Sequence, residues 1–120
     1  MKTTFLHGAN LRANGIRQHY LRYGGKGRPV VIVPGITSPA VTWGFVAEHF
    51  GRQFDTYVLD VRGRGLSDAS DGLDYGLDAC ADDVGAFADA LGLEGYALVG
   101  HSMGARIGAR AARKHPGGLE

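Results

Sequence analysis

The chain has 120 residues, of which 44% are hydrophobic and 21% are charged, and its formal net charge at pH 7 is +1. This composition is typical of one soluble globular domain, and the near-zero charge argues against a nucleic-acid or membrane surface as the main partner. The amino terminus lacks an apolar segment of signal-peptide length, no apolar run approaches membrane-spanning length, and the single cysteine, Cys80, cannot form an internal disulfide. We therefore predict a cytoplasmic protein.

Two β-prone segments, Thr3 to Arg12 and Ile16 to Tyr23, open the chain. Asn14 and Gly15 stand between them, and both residue types tolerate the positive φ of a two-residue hairpin turn. The sequence therefore predicts an antiparallel pair of strands.

Val30 to Val33 is a run of β-branched residues without polar alternation, as expected for a strand covered on both faces. Pro34 and Gly35 end this run. A helix is predicted over Val41 to Phe50, and Phe54 to Leu59 forms the next strand. The order strand, helix, strand requires a crossover between parallel strands, and we place the first of them at the centre of the sheet.

A glycine-punctuated loop, Asp60 to Ser67, leaves that strand, and a structural turn is favoured over a direct chemical role. Apolar residues then repeat at intervals of three and four from Leu77 to Leu91 and predict a helix with one buried face. Cys80 lies on that face, which predicts a packed thiol, and Gly92 ends the helix as a C-cap.

Charged side chains cluster on two predicted helices. We interpret both groups as solvated faces, and the acidic group as favourable to the helix dipole and not as a metal site. The acidic group comprises Asp78, Asp82 and Asp83, and the basic group comprises Arg106, Arg110 and Arg113.

A strand from Leu93 to Val99 and a helix from Met103 to Lys114 flank the sequence Gly-His-Ser-Met-Gly at residues 100–104. Between a strand and a helix, Gly-x-Ser-x-Gly is the pattern of a nucleophile elbow, a tight turn that holds the hydroxyl of Ser102 out over the end of the sheet. Side chains two residues before and after the serine would collide, which accounts for Gly100 and Gly104.

Two main-chain amides are predicted to form an oxyanion hole. The amide of Met103 opens the helix after the elbow, where the positive end of the helix dipole adds to its effect. The second amide must come from the loop after the central strand, and we assign it to Ile36.

Three segments of the chain resemble the α/β-hydrolase family: the strand followed by Pro34 and Gly35, the turn from Asp60 to Ser67, and the elbow around Ser102. The resemblance implies an α/β fold that corresponds to the amino-terminal half of that family's fold, with a mostly parallel sheet, an antiparallel opening hairpin and flanking helices. Where many relatives have His-Gly in the oxyanion loop, this chain has Pro34-Gly35, so a contribution from that histidine side chain is absent.

Longer strings are similar to the N-formylmaleamate deformylases of nicotinate breakdown: Asn14 to Gly25, Val33 to Ala40 and Thr56 to Ser67. This resemblance implies hydrolysis of a small N-formyl amide to maleamate and formate, without a metal or other cofactor. Thr37 and Trp43 lie near the oxyanion loop and are candidates for the pocket lining, although core packing is an equally good interpretation of Trp43. The sequence does not indicate the oligomeric state.

The catalytic triad of this fold runs serine, acid, histidine along the chain. After Ser102 the chain has no Asp, one Glu at its terminus and one histidine, His115. His115 follows Ser102 by 13 residues, which places it about 20 Å along the helix, too far to act as the base. The side chain of His101 is expected to point away from Ser102. The other histidines lie on elements not expected at the carboxyl ends of the strands: His7, His19 and His49.

We therefore expect residues 1–120 to form a single partial α/β-hydrolase domain that ends after the nucleophile helix. The acid, the catalytic histidine, the lid and the carboxyl-terminal strands would lie outside it, and the chain alone is predicted to be inactive and poorly stable. Two alternatives to an amide hydrolase stay open. They are an ester or carbon-carbon hydrolase on the same scaffold, and a non-catalytic binding module that keeps the elbow without a triad.

Overall fold

The computed structural model describes residues 5–25, 27–35, 43–63, 67, 69, 73, 75–101 and 103–115. These residues form five strands and three helices, in the order strand, strand, strand, helix, strand, helix, strand, helix. The strands are β1 (Phe5–Ala13), β2 (Ile16–Tyr23), β3 (Pro29–Val33), β4 (Asp55–Leu59) and β5 (Ala97–Gly100). The helices are α1 (Gly44–Gly51), α2 (Leu77–Ala90) and α3 (Met103–Lys114).

The strands form one sheet in the order β1-β2-β4-β3-β5. β1 and β2 are antiparallel, β2 is antiparallel to β4, and β3 is parallel to both of its neighbours, β4 and β5. The opening hairpin is confirmed, because Asn14 and Gly15 take φ angles of 53° and 77° between its strands.

β3 is an internal strand with a parallel neighbour on each side, but the middle strand of the five described is β4 and not, as predicted, β3. Val31, Ile32 and Val33 are each 0% exposed. Side chains alternate across the pleat, so Val31 and Val33 enter one core cluster and Ile32 enters the other. A strand covered on both faces has no solvated side, which explains why its sequence shows no polar alternation.

Helices cover both faces of the sheet. On one face α2 and α3 pack over the larger core cluster, where the fully buried ring of Phe87 meets Tyr20 edge-on with ring centroids 5.1 Å apart. On the other face α1 supplies Ala47 and Phe50 to the smaller cluster. The predicted buried stripe of α2 is confirmed, with Cys80 only 2% exposed.

Two predicted boundaries differ from the structure by more than two residues. The strand predicted from Leu93 begins only at Ala97, because Gly92 and Gly95 take φ angles of 64° and make turns before it. The helix predicted over Val41 to Phe50 is Gly44–Gly51, and residues 41 and 42 lie outside the described residues.

Asp83 is not part of a solvated face, so that prediction was wrong for this residue. Asp83 is 5% exposed and accepts two hydrogen bonds of 2.6 Å from the guanidinium of Arg62. Asn14 of the hairpin turn donates a third, at 2.9 Å. Asp83 is buried because the hairpin and the loop after β4 fold over this side of α2. We call Asn14, Arg62 and Asp83 the Asp83 clamp.

Candidate active site

The residues predicted to form the site follow β3 and β5 in the sequence, and these two strands end side by side. Val33, the last residue of β3, is the register partner of Gly100, the last residue of β5. Just beyond the two strands, the amide of His101 donates a hydrogen bond to the carbonyl oxygen of Val33, with an N···O distance of 3.3 Å. The segments that follow the two strands therefore start from adjacent points.

From these adjacent points the chain diverges to opposite faces of the sheet. After β3 it continues to α1, which packs on the smaller core cluster, whereas after β5 it enters α3, which packs on the larger one. β4 then lies on one side of β3, and β5 lies on the other. Such a reversal of strand order leaves a crevice at the carboxyl ends of the strands, which is where open α/β sheets bind their ligands.

The turn from β5 into α3 has no room for side chains at its two glycines. A Cβ atom on Gly100 would lie 2.5 Å from the carbonyl oxygen of Gly104 and 2.6 Å from the Cα atom of Ala105. A Cβ atom on Gly104 would overlap the carbonyl oxygen of Val33 and lie 2.5 Å from that of Pro34. The first turn of α3 therefore rests with its main chain directly against the end of β3, a geometry that requires glycine at both positions.

The predicted site residues fall into two groups. Gly100, Gly104, Met103 and Trp43 are described, and Met103 is the first residue of α3, partly buried against the larger core cluster. The other three lie outside the described residues: Ser102, Ile36 and Thr37. The nucleophile and the second oxyanion donor therefore stay predictions from the sequence.

Trp43 contacts the elbow directly, which the sequence reasoning did not foresee. It is the N-cap residue of α1, and its ring meets the imidazole of His101 edge-on, with the ring centroids 5.7 Å apart and an interplanar angle of 64°. Trp43 also packs against the smaller core cluster. Its position thus combines core packing with contact to the residue that precedes Ser102. No local pattern links two residues so far apart in sequence.

His19 lies at the carboxyl end of β4, and the expectation that it would be remote from the strand ends was wrong. Its Nδ1 atom is 2.7 Å from Oδ2 of Asp60, the residue that follows β4. The cause is the antiparallel register, in which Tyr20 faces Leu59, so the residue before Tyr20 reaches past the end of β4. His19 and Asp60 are both nearly buried.

The loop after β4 is fixed by hydrogen bonds at both of its ends. The hydroxyl of Ser67 donates to the carbonyl oxygen of Asp60 at 2.6 Å and accepts from the amide of His19 at 2.8 Å. Arg62 in the same loop is held by Asp83. These contacts support the predicted structural role of the loop, whose residues 64–66 lie outside the described part.

His115 lies at the opposite end of α3 from the elbow. Its Nε2 atom is 2.7 Å from Oδ1 of Asp82 on α2, and its ring packs on Gly85. The hydrogen bond from His115 is the main cause that lowers the pKa of Asp82, and a second one from Lys114 adds to it. Asp78, which is exposed, forms an ion pair with Arg110 at 2.8 Å. This pairing of α2 with α3 is structural.

Among the residues that the structure describes, a tyrosine away from the elbow has a strongly shifted pKa. Burial, and then a hydrogen bond to Asp55, raise the pKa of Tyr57 well above its ordinary value. Arg22 forms an ion pair with Asp55 and lies over the Tyr57 ring, 5.2 Å from its centroid. Asp55 begins β4, at the end of the sheet opposite the elbow. This cluster therefore stabilises the sheet and is not placed to act on a ligand in the crevice.

Within the described ranges, no group of three or more His, Cys, Asp and Glu side chains is arranged to hold a metal ion. None of the helices in the same ranges combines the length and the apolar character that a membrane crossing requires.

Comparison with known proteins gives matches over nearly the whole chain. It is 67% identical over 118 residues to an N-formylmaleamate deformylase of Pseudomonas putida, a match that covers 98% of this chain and 44% of that protein. It is 34% identical over 96 residues to a 2-(acetamidomethylene)succinate hydrolase of Mesorhizobium japonicum, covering 80% of this chain and 34% of that protein.

A solved structure shares the fold. The crystal structure of an N-formylmaleamic acid deformylase from Pseudomonas putida S16, a serine-to-alanine variant, superposes with a TM-score of 0.88 at 57% identity and covers 94% of this chain and 44% of that one. The chain thus spans less than half of the length of these relatives. The profile of the alpha/beta hydrolase fold family matches residues 28–118. Together with the mixed sheet and its flanking helices, this match shows that the chain belongs to the alpha/beta hydrolase fold family.

Proposed function

We propose that this chain carries the nucleophile of a serine hydrolase that cleaves a small amide, converting N-formylmaleamate to maleamate and formate. The 67% identity over 118 residues to an N-formylmaleamate deformylase carries the proposal. The structure of the turn supports it, because both elbow glycines are packed too tightly to accept a side chain.

In the proposed reaction, the oxygen of Ser102 attacks the formyl carbonyl carbon and forms a tetrahedral oxyanion. The amides of Met103 and Ile36 stabilise that charge, each donor contributing about 2.7–4 kcal/mol in the transition state. The carbon-nitrogen bond then breaks, the leaving nitrogen takes a proton, and maleamate departs. Water hydrolyses the formyl ester on Ser102 to release formate.

In this reaction the proton transfers would fall to an acid and a histidine outside residues 1–120. Two of the described histidines lie away from the elbow: His19 is on β2, which β4 and β3 separate from β5, and His115 pairs with Asp82 at the far end of α3. His101 contacts Trp43. In this fold the triad residues occur along the chain in the order serine, acid, histidine, which favours a position after Ser102 for both the acid and the histidine.

A formate-release assay on the full-length protein tests this function, with N-formylmaleamate and simple esters as competing substrates. We expect formate from N-formylmaleamate, and we expect Ser102→Ala to lower kcat by about 10⁶-fold, as removal of a serine nucleophile does elsewhere. Ser67→Ala is the control, because it removes a hydroxyl that bonds main-chain groups. It should lower the melting temperature and keep the activity below that temperature.

Three outcomes would overturn parts of the proposal. Ester cleavage without formate release would show that the substrate is an ester and not N-formylmaleamate, and would leave the serine mechanism in place. Full activity of the Ser102→Ala protein would exclude Ser102 as the nucleophile. Binding of N-formylmaleamate without turnover of any substrate would favour a non-catalytic module.

A further inference from the structure

His101, the residue before Ser102, is held by main-chain hydrogen bonds and by a ring contact. Its amide donates to the carbonyl oxygen of Val33 at 3.3 Å, and its own carbonyl oxygen accepts from the amide of Gly104 at 2.9 Å. Its ring contacts Trp43. Two main-chain hydrogen bonds and one ring contact therefore determine the orientation of the residue that is covalently bonded to Ser102.

The ring contact differs from the two hydrogen bonds because it ties the elbow to the opposite face of the sheet. Trp43 is the N-cap of α1 and packs on the smaller core cluster together with Phe50. α3, which follows the elbow, packs on the larger cluster. Without Trp43, the exposed imidazole of His101 would lose its aromatic support on the α1 side.

We propose that Trp43 is a positioning residue for the nucleophile: through its contact with His101 it fixes the orientation of the turn that presents Ser102. This inference rests on the proposed function. A serine nucleophile gains rate only when its oxygen is aligned both with the substrate carbonyl and with the oxyanion donors, and a displacement of about 1 Å can cost about a hundredfold in rate. A contact that restrains the preceding residue therefore acts on kcat.

Trp43→Leu and Phe50→Leu form a matched pair for the test. Both replace an aromatic ring that packs on the smaller cluster with an aliphatic side chain. Of the two, only Trp43 contacts His101; the ring of Phe50 instead pairs with that of Phe54, with the ring centroids 6.1 Å apart. In the full-length protein, at a temperature where both variants are folded, we expect Trp43→Leu to lower kcat by about 10- to 100-fold with little change in KM. Phe50→Leu should keep kcat, and Trp43→Phe should restore most of it.

A double-mutant cycle tests whether Trp43 acts through His101. If it does, His101→Ala lowers kcat to a similar extent, and the double variant Trp43→Leu/His101→Ala is no worse than either single variant. Additive losses would overturn the inference. A rise in KM with unchanged kcat in Trp43→Leu would also overturn it, because that result would make Trp43 a wall of the substrate pocket.

Labelling of the serine by a fluorophosphonate separates this inference from the proposed function. The reagent forms a bond to the serine oxygen without needing the natural substrate, so its rate reports the alignment of the nucleophile. Trp43→Leu should be labelled at least about tenfold more slowly than Phe50→Leu. Equal rates would overturn the positioning role alone, whereas no labelling of Ser102 in the unsubstituted full-length protein would overturn both proposals.

Discussion

Removal of Arg62 from the Asp83 clamp should be among the most destabilising changes of a charged residue in this chain. The side chains of Arg62 and Asp83 are 6% and 7% exposed and are joined by two hydrogen bonds of 2.6 Å. Arg62→Met leaves the buried carboxylate with only part of its partners, among them Asn14. Loss of one partner from a buried ion pair costs about 3–5 kcal/mol. Because the bond from Asn14 persists, we expect a loss of about 3–4 kcal/mol in the free energy of unfolding.

Urea unfolding of Arg62→Met and Arg110→Met measures this difference. Arg110 also pairs with an aspartate of α2, but its side chain is 45% exposed and that of Asp78 is 63% exposed, so solvent screens this pair and its loss should destabilise the protein far less. With a urea dependence of about 2 kcal/mol/M, the midpoint should fall by about 1.5–2 M for Arg62→Met and by far less for Arg110→Met. Equal shifts would refute the assignment of a buried, energetically coupled pair. The double variant Arg62→Met/Asp83→Leu should recover part of the loss, since no charge stays buried without its partner.

Two further predictions concern α3 and His115, the residue that follows it. Gly108→Ala should raise the free energy of unfolding by up to about 1 kcal/mol, because nothing lies within 4 Å of the added Cβ. Gly104→Ala should lower it by about 1–3 kcal/mol, because the added Cβ overlaps the carbonyl oxygen of Val33. Thermal unfolding measures both changes, and equal gains in stability would contradict the close approach of Gly104 to Val33. His115→Ala should raise the pKa of Asp82 toward 3.8, as measured by NMR titration of its carboxyl carbon. Because the pKa of Asp82 is lower in the folded protein, its ionised carboxylate stabilises the fold above pH 3.8, and this stabilisation is lost as the pH falls through the folded pKa. An unchanged pKa of Asp82 in His115→Ala would contradict the role of His115.

Features that depend on local periodicity could be predicted from the sequence. The β-branched run of β3, the turn at Asn14 and Gly15, and the apolar stripe of α2 each contain their own structural signal within a few residues. The glycine requirement of the elbow could be deduced in the same way from the shape of a strand-to-helix turn. The residue spacing did not reveal that the atom nearest to a Cβ on Gly104 would be the carbonyl oxygen of Val33.

Features that depend on pairing between distant segments could not be predicted. Asp83 lies off the apolar stripe of its helix, a position typical of solvent exposure, and only the placement of the hairpin and of Arg62 makes it buried. The position of His19 followed from a strand register that its own segment does not specify. The contact of Trp43 with His101 likewise depends on the three-dimensional arrangement of α1 and β5.

The sheet order has a consequence for folding during synthesis. β3 is flanked by β4 and β5, and the residues of both neighbours, 55–59 and 97–100, leave the ribosome after it. A nascent chain therefore exposes the edges of an apolar strand until the segment up to residue 100 has emerged. Pairing over such sequence separations gives a high contact order and slow folding. Chaperone binding to nascent chains should accordingly be strongest between the synthesis of β3 and that of β5, when the aggregation-prone strand lacks its partners.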